Sequence, residues 1–185
     1  MKKIFLLAAF ALLSLNSVAN AAEWKIVPQK SKIEFVAMQN DAKVSGSFKN
    51  FSGKINFDKA QLTSSKVEIE IDMNSVEASL SDAAPTLKTS EWFAVKAFPK
   101  ATFVSEKFTK ISDKKFSADA KLTIKNKAVP TKIEFAFEEY STNKAKAVGT
   151  ATIKRSDFGV GAKDPANAHG VKDDVVVSFV VEAVK

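Results

Sequence analysis

Polar and apolar residues alternate along most of this chain, and the alternation predicts strands. Lys32-Ile33-Glu34-Phe35 places its apolar residues on one face and its charges on the other. Lys66-Val67-Glu68-Ile69-Glu70-Ile71 and Lys132-Ile133-Glu134-Phe135-Ala136-Phe137 do the same. Phe116, Ala118, Ala120, Leu122 and Ile124 keep the spacing over another stretch. Ala147, Gly149, Ala151 and Ile153 repeat it, as do Val175, Val177, Phe179 and Val181. The run from Val44 to Phe57 is longer and changes phase. Val44, Gly46 and Phe48 share one register, and Phe51, Gly53, Ile55 and Phe57 share another. The slip predicts a bulge, a sharp bend or a hairpin near Lys49-Asn50. Gly46 and Gly53 mark bending or close approach within the strand. One stretch departs from the pattern. Ser81-Asp82 offers a helix N-cap, Ala83-Ala84-Pro85 a first turn, and Leu87 to Phe93 a continuation as a short helix. Pro99 then restarts an extended segment from Ala101 to Phe108.

These runs amount to about eight strands in hairpin-like succession, which predicts an all-β, antiparallel fold. Strands with one apolar face bury it by stacking two sheets or by closing one sheet into a barrel. Strands of about ten residues and a single short helix favour the barrel. Lys32, Glu34, Lys66, Glu68, Glu70, Lys132 and Glu134 occupy the polar face, and so many charges would overfill a narrow lumen. The charged face therefore points to water and the apolar face inward. The same faces would also fill a sandwich core, so the pattern sets polarity and leaves closure open.

The start of the chain reads as a cleavable leader. Lys2 and Lys3 precede an apolar run from Ile4 to Leu15, and Ala19-Asn20-Ala21 supplies a small-x-small cleavage site. The run is shorter than the roughly 20 residues that span a bilayer. The expectation is a signal peptide over residues 1–21, a single domain over 22–185, and a periplasmic location. The chain has no Cys, so packing rather than disulfides must stabilise the domain, and its 15 Phe supply the material. The formal charge of +7 is spread along the chain, as on a soluble surface.

The residues that carry chemistry are few. His169 is the one histidine, lies in a loop-like stretch, and has no Gly-x-Ser-x-Gly elbow to support a triad. A lone histidine with scattered carboxylates makes a weak metal site. Glu138-Glu139 and Asp173-Asp174 read as strand termini, where neighbouring residues point to opposite faces. The lysines lack the aromatic interleaving of a nucleic-acid surface. The expectation is a non-enzyme with no metal and no nucleic-acid partner. Phe35, Phe48, Phe57, Phe103, Phe116, Phe135, Phe137 and Phe179 fall on inward faces, either as a packed core or as the lining of a cavity.

Three stretches carry a resemblance. The first runs from Trp24-Lys25-Ile26-Val27-Pro28 through Ser31 to Phe35, then Val44 to Phe48 and Phe51 to Phe57. The second is Leu87-Lys88-Thr89-Ser90-Glu91-Trp92-Phe93 with Phe98-Pro99-Lys100-Ala101-Thr102-Phe103-Val104-Ser105. The third is Arg155-Ser156-Asp157-Phe158-Gly159-Val160-Gly161. Together they resemble the YceI family of secreted, lipocalin-like proteins. The resemblance implies an eight-stranded antiparallel β-barrel around a hydrophobic tunnel that binds polyisoprenoid chains or isoprenoid quinones. By that analogy Phe35, Phe48, Phe57, Phe103, Phe135 and Phe137 line the tunnel, and Leu87, Trp92 and Phe93 pack at a wall or mouth. Arg155 and Asp157 either orient one another at a barrel end or meet a polar headgroup. The chain departs from the family pattern at Ala94, where an acidic residue often follows the aromatic pair. The function expected is a periplasmic carrier of a long-chain isoprenoid lipid, with no cofactor beyond that lipid or quinone. Membrane contact would be transient, and a homodimer is left open. The alternative is an interaction protein with a solid core that binds a membrane partner through its surface.

Overall fold

The computed structural model describes residues 23–161 and 170–185; the expected leader and His169 lie outside the described residues. One antiparallel sheet contains the strands β1 (Glu23–Ile26), β2 (Lys32–Gln39), β3 (Ala42–Phe48), β4 (Phe51–Asn56), β5 (Lys66–Asp72) and β6 (Val76–Ala78). After the helix α1 (Ala83–Lys88) it continues with β7 (Lys100–Lys110), β8 (Lys115–Ile124), β9 (Lys127–Tyr140), β10 (Lys144–Lys154) and β11 (Asp174–Val184). Six of these strands are interrupted pairs. β1 and β2 form one stave broken at Pro28–Lys30, β3 and β4 a second broken at Lys49-Asn50, and β5 and β6 a third broken at Met73–Ser75. Counted as staves, eight run in up-and-down order and close into a barrel. Closure comes from β11, whose Ala183 and Val184 pair with β1 and whose Val176 to Val180 pair with β2. Closure excludes the two-sheet sandwich.

Each interruption has a local cause. Pro28 has no N–H to give the ladder, and the Ser31 hydroxyl restores the bonding by donating to the Val27 and Glu182 carbonyls. At Lys49-Asn50 the register against the next stave shifts from Phe48↔Val76 to Phe51↔Ile71. The backbone stays paired across the step, Lys49 N donating to Ser75 O and Asp72 N to Asn50 O. The expected phase slip is thus a bend, and it lets both Phe48 and Phe51 face inward. The carboxylate of Asp72 caps the turn at Met73–Ser75 by accepting from Asn74 N. The tight turns fall instead at Asn40-Asp41 and Lys125-Asn126, each pair with positive φ, as two-residue hairpins require.

The helix is shorter than the sequence predicts. It ends at Lys88, and the Asp82 side chain makes no capping bond. The chain turns away at Thr89, whose backbone is extended and whose hydroxyl donates to Thr86 O; beyond it the Lys125 ammonium donates to the Ser90 and Glu91 carbonyls. Ala94 follows with φ of 50°, outside helical geometry. Trp92 and Phe93 therefore sit in turns. This irregular segment has a structural place. β7 begins opposite Asp72, so it does not reach β6, and α1 packs against β6 to fill the gap in the wall.

The outer face carries ion pairs such as Lys66–Glu106 and Lys146–Glu138, which contribute little individually. Glu138 and Glu139 depart from the expected opposite facing. A register shift opposite Lys146/Ala147 turns both to solvent, where they pair with Lys146 and Lys144.

Candidate ligand-binding lumen

The inward faces of the staves enclose two apolar cavities that meet. The larger holds about 190 Å³ and the smaller about 120 Å³. Ile33, Ile71, Leu122, Ile153 and Val177 line both, forming a waist between them. Together the cavities reach the low end of the roughly 300–1,000 Å³ typical of ligand pockets. The lumen exists partly because two aromatic rings lie close against the backbone of the wall. A Cβ at Gly46 would sit 2.2 Å from the Phe35 ring, and one at Gly149 would sit 2.4 Å from the Phe179 ring. Both glycines thus give a neighbouring phenylalanine room to approach the backbone.

The larger cavity ends at a plate of aromatic rings. Phe57 is at its centre, with ring centroids 5.3–6.5 Å from Phe108, Phe116, Phe135, Phe137 and Tyr140. Trp24 joins through its ring contact with Tyr140 and donates its indole N–H to the Phe57 carbonyl at 2.9 Å. Over the outer side of this plate lies the Lys59 ammonium, 4.2 Å from the Tyr140 ring centre and 4.6 Å from that of Phe137. Burial lowers the Lys59 pKa, and the charges of Lys114 and Lys110 lower it further. Burial raises that of Tyr140.

The smaller cavity ends differently, at Trp92, Phe158 and Val160, with Leu87 and Phe93 packed against them. This end is made of turns tied by polar bonds. The Lys125 ammonium donates to the carbonyls of Gly159, Glu91 and Ser90 at 2.8, 3.3 and 3.5 Å. Burial, and then the nearby Lys127, lower its pKa. Gly161 N donates to Glu91 O, joining the two turn segments directly.

The expected site residues divide between these ends. Phe57, Phe103, Phe135 and Phe137 line the larger cavity. Phe35, Phe48, Leu87, Trp92 and Phe93 line the smaller one. Phe116, with no exposed surface, packs within the plate against Phe57, Phe135 and Phe137 and lines neither cavity. The Arg155 side chain is 4% exposed and borders the smaller cavity. Its guanidinium donates to the carbonyls of Val160, Gly161, Val171 and Lys172 at 3.0–3.3 Å. These bonds hold the turns together and commit the guanidinium to structure. Asp157 is exposed on the same turn, so the pair is split between inside and outside. The waist aliphatics, Trp24, Tyr140 and Phe158 complete the lining or its ends. The waist aliphatics follow the period-two pattern, whereas Tyr140 lies past a register shift and Phe158 in a turn, where the alternation does not reach.

A domain described as YceI-like matches residues 24–183. The chain belongs to the YceI-like family. A UPF0312 protein of Shewanella denitrificans is 32% identical over 179 residues, covering 90% of this chain and 92% of that one. Among solved structures, BcnA of Burkholderia cenocepacia shares 29% identity with a TM-score of 0.80, over 86% of this chain and 99% of that one. A Saccharophagus degradans protein described as a polyisoprenoid binding domain shares the fold, with a TM-score of 0.69 and 15% identity, over 87% of this chain and 97% of its own. The YceI-like barrel is thus the common frame, and the resemblance read from the three sequence stretches holds over the whole match.

Proposed function

We propose that this YceI-like protein binds a long apolar chain of isoprenoid type in its lumen and carries it outside the cytoplasm without covalent chemistry. The observation that carries this reading is the lining. Apolar side chains surround both cavities, and the one charged liner among the described residues, Arg155, has its donors engaged by carbonyls. Such a lumen offers a small polar ligand little to bond with. An extended hydrocarbon suits it, at roughly 0.8 kcal/mol per buried CH₂. Association costs about 4–15 kcal/mol, so useful affinity needs on the order of ten to twenty buried carbons. The polyisoprenoid-binding description of the Saccharophagus protein, which has the same fold, supports this choice of ligand class. The leader read from residues 1–21 supports a periplasmic site of action, where water separates two membranes.

The test is native mass spectrometry of protein purified from envelope fractions, followed by lipid extraction. The expected result is a bound prenyl lipid that leaves the protein on organic extraction. Protein that carries no lipid and does not take up an added polyprenol would overturn the reading.

A further inference from the structure

Four large apolar side chains stand well exposed among the described residues: Leu80, Ile111, Val176 and Val184. Two of them lie on the rim of the Trp24 end. Ile111, 51% exposed, sits in the turn between β7 and β8, and Val184, 37% exposed, ends β11. Lysines surround both. Lys110, Lys114 and Lys115 flank Ile111 in the chain. Val184 has Lys25 and Lys144 as cross-strand partners and Lys185 beside it. The Lys59 ammonium joins the two points. It is close enough to Lys110 and Lys114 to be repelled by them, and it rests on the Tyr140 ring. That ring packs against Trp24, which lies under the Lys185 ammonium.

The other two exposed residues lack this setting. Leu80 lies between Ser79 and Ser81-Asp82. Val176 is on the wall beside Lys154 and Lys172, whose charges are answered by Asp174 and Asp41. Much of the wall is matched in the same way, as in Lys66 with Glu68 and Glu106, or Lys100 with Glu70. The Trp24 rim is not. Asp113 and Glu139 pair there with Lys110 and Lys144, and the Asp58 carboxylate accepts from Ala60 N. Lys59, Lys114 and Lys185 have no carboxylate in ion-pair contact among the described residues, and Glu23 is left without a partner on the same rim.

Two aliphatics with β9 and β10 between them do not make the contiguous apolar centre of a protein interface. They suit a fluid surface, which each side chain can enter separately. Long ammonium side chains around them can reach phosphates wherever these lie. We propose that the Trp24 end is a docking face for bilayers that contain anionic phospholipid, entered by Ile111 and Val184 and held by Lys59, Lys114 and Lys185. The face does not depend on what the lumen holds. A barrel docked in this way meets the membrane with the end that side chains, rather than bonded turns, close.

The experiment is co-flotation of the purified protein with vesicles of phosphatidylcholine, alone or with about a third phosphatidylglycerol. The protein is expected to float with the anionic vesicles and to leave them as salt rises. Lys114→Gln combined with Lys185→Gln should weaken binding about 25-fold, at roughly fivefold for each lysine. Ile111→Ser should weaken it about fivefold. Lys96→Gln combined with Lys127→Gln removes the same charge from the Trp92 end and should change binding by less than about twofold. All five side chains are exposed, so the variants should keep the wild-type circular dichroism. Equal losses from the two lysine pairs would show attraction by net charge alone and overturn the docking face. So would unchanged binding of Ile111→Ser, or protein that floats equally with both kinds of vesicle or with neither.

Discussion

The two ends of the barrel are closed by opposite means. At the Trp24 end, side chains do the closing: rings packed edge to face around Phe57, with an ammonium resting on top. At the Trp92 end, backbone does it: turns whose carbonyls converge on the cations of Arg155 and Lys125. A side-chain plug opens by rotating χ angles, whereas a plug of bonded turns opens only by breaking several charge-assisted bonds. Two half-buried lysines whose pKa values are lowered by burial are for this reason not equivalent. Lys125 has exchanged water for three carbonyls, and Lys59 has exchanged it for ring faces.

The closure at the Trp24 end depends most on Phe57. Phe57→Ala removes the centre of the plate, and unfolding in urea should show a loss of about 3–5 kcal/mol, as for other buried phenylalanines. A loss under about 1 kcal/mol would mean that the rings around it do not depend on it. Next comes Arg155→Met, which leaves four carbonyls of the Trp92 end without their donor. Stability should fall by about 3 kcal/mol. Proteolysis should cut first near residues 155–161 or 79–98, with the staves still intact by circular dichroism. Cleavage at the 57–65 connection instead would show the ends to be coupled rather than independent.

The smallest effects separate the two lysines. Lys125→Met should cost about 1–2 kcal/mol through the stranded carbonyls, while Lys59→Met should stay within about 0.5 kcal/mol of wild type. A pH series sharpens this. The Lys59 pKa is lower folded than unfolded, so the folded state releases its proton first, and stability rises with pH as that penalty is relieved. The difference between wild type and Lys59→Met should therefore shift in favour of wild type as pH climbs toward 10.5. A flat difference would show that Lys59 is not desolvated in solution.

Most of the wall was legible from the alternation, because a strand with one buried face writes its burial into every second residue. The slip at Lys49-Asn50 was legible for the same reason, and the structure makes it a bend in one stave. Closure was not legible, since the residues that pair β11 with β1 and β2 would serve a sandwich equally well. Nor was the early end of α1, where Thr89 turns extended and the Leu87 and Lys88 carbonyls accept from Phe93 N and Val95 N instead of from a further helical turn. Lys59 was invisible among 28 basic residues, because what sets it apart is the position of rings contributed by β8 and β9. Arg155 stood out by motif, yet only the converging carbonyls decided between a headgroup contact and a brace.

Gly46 and Gly149 give the bore of the tunnel a genetic handle. Each is the parking space of a phenylalanine ring, so the empty volume at the axis is held open from within the wall. A methyl group added at either position would press on that ring and also on a backbone carbonyl of the neighbouring strand, Glu77 O for Gly46 and Glu134 O for Gly149, so ring and wall would have to move together. The bore is thus set by wall positions that line neither cavity.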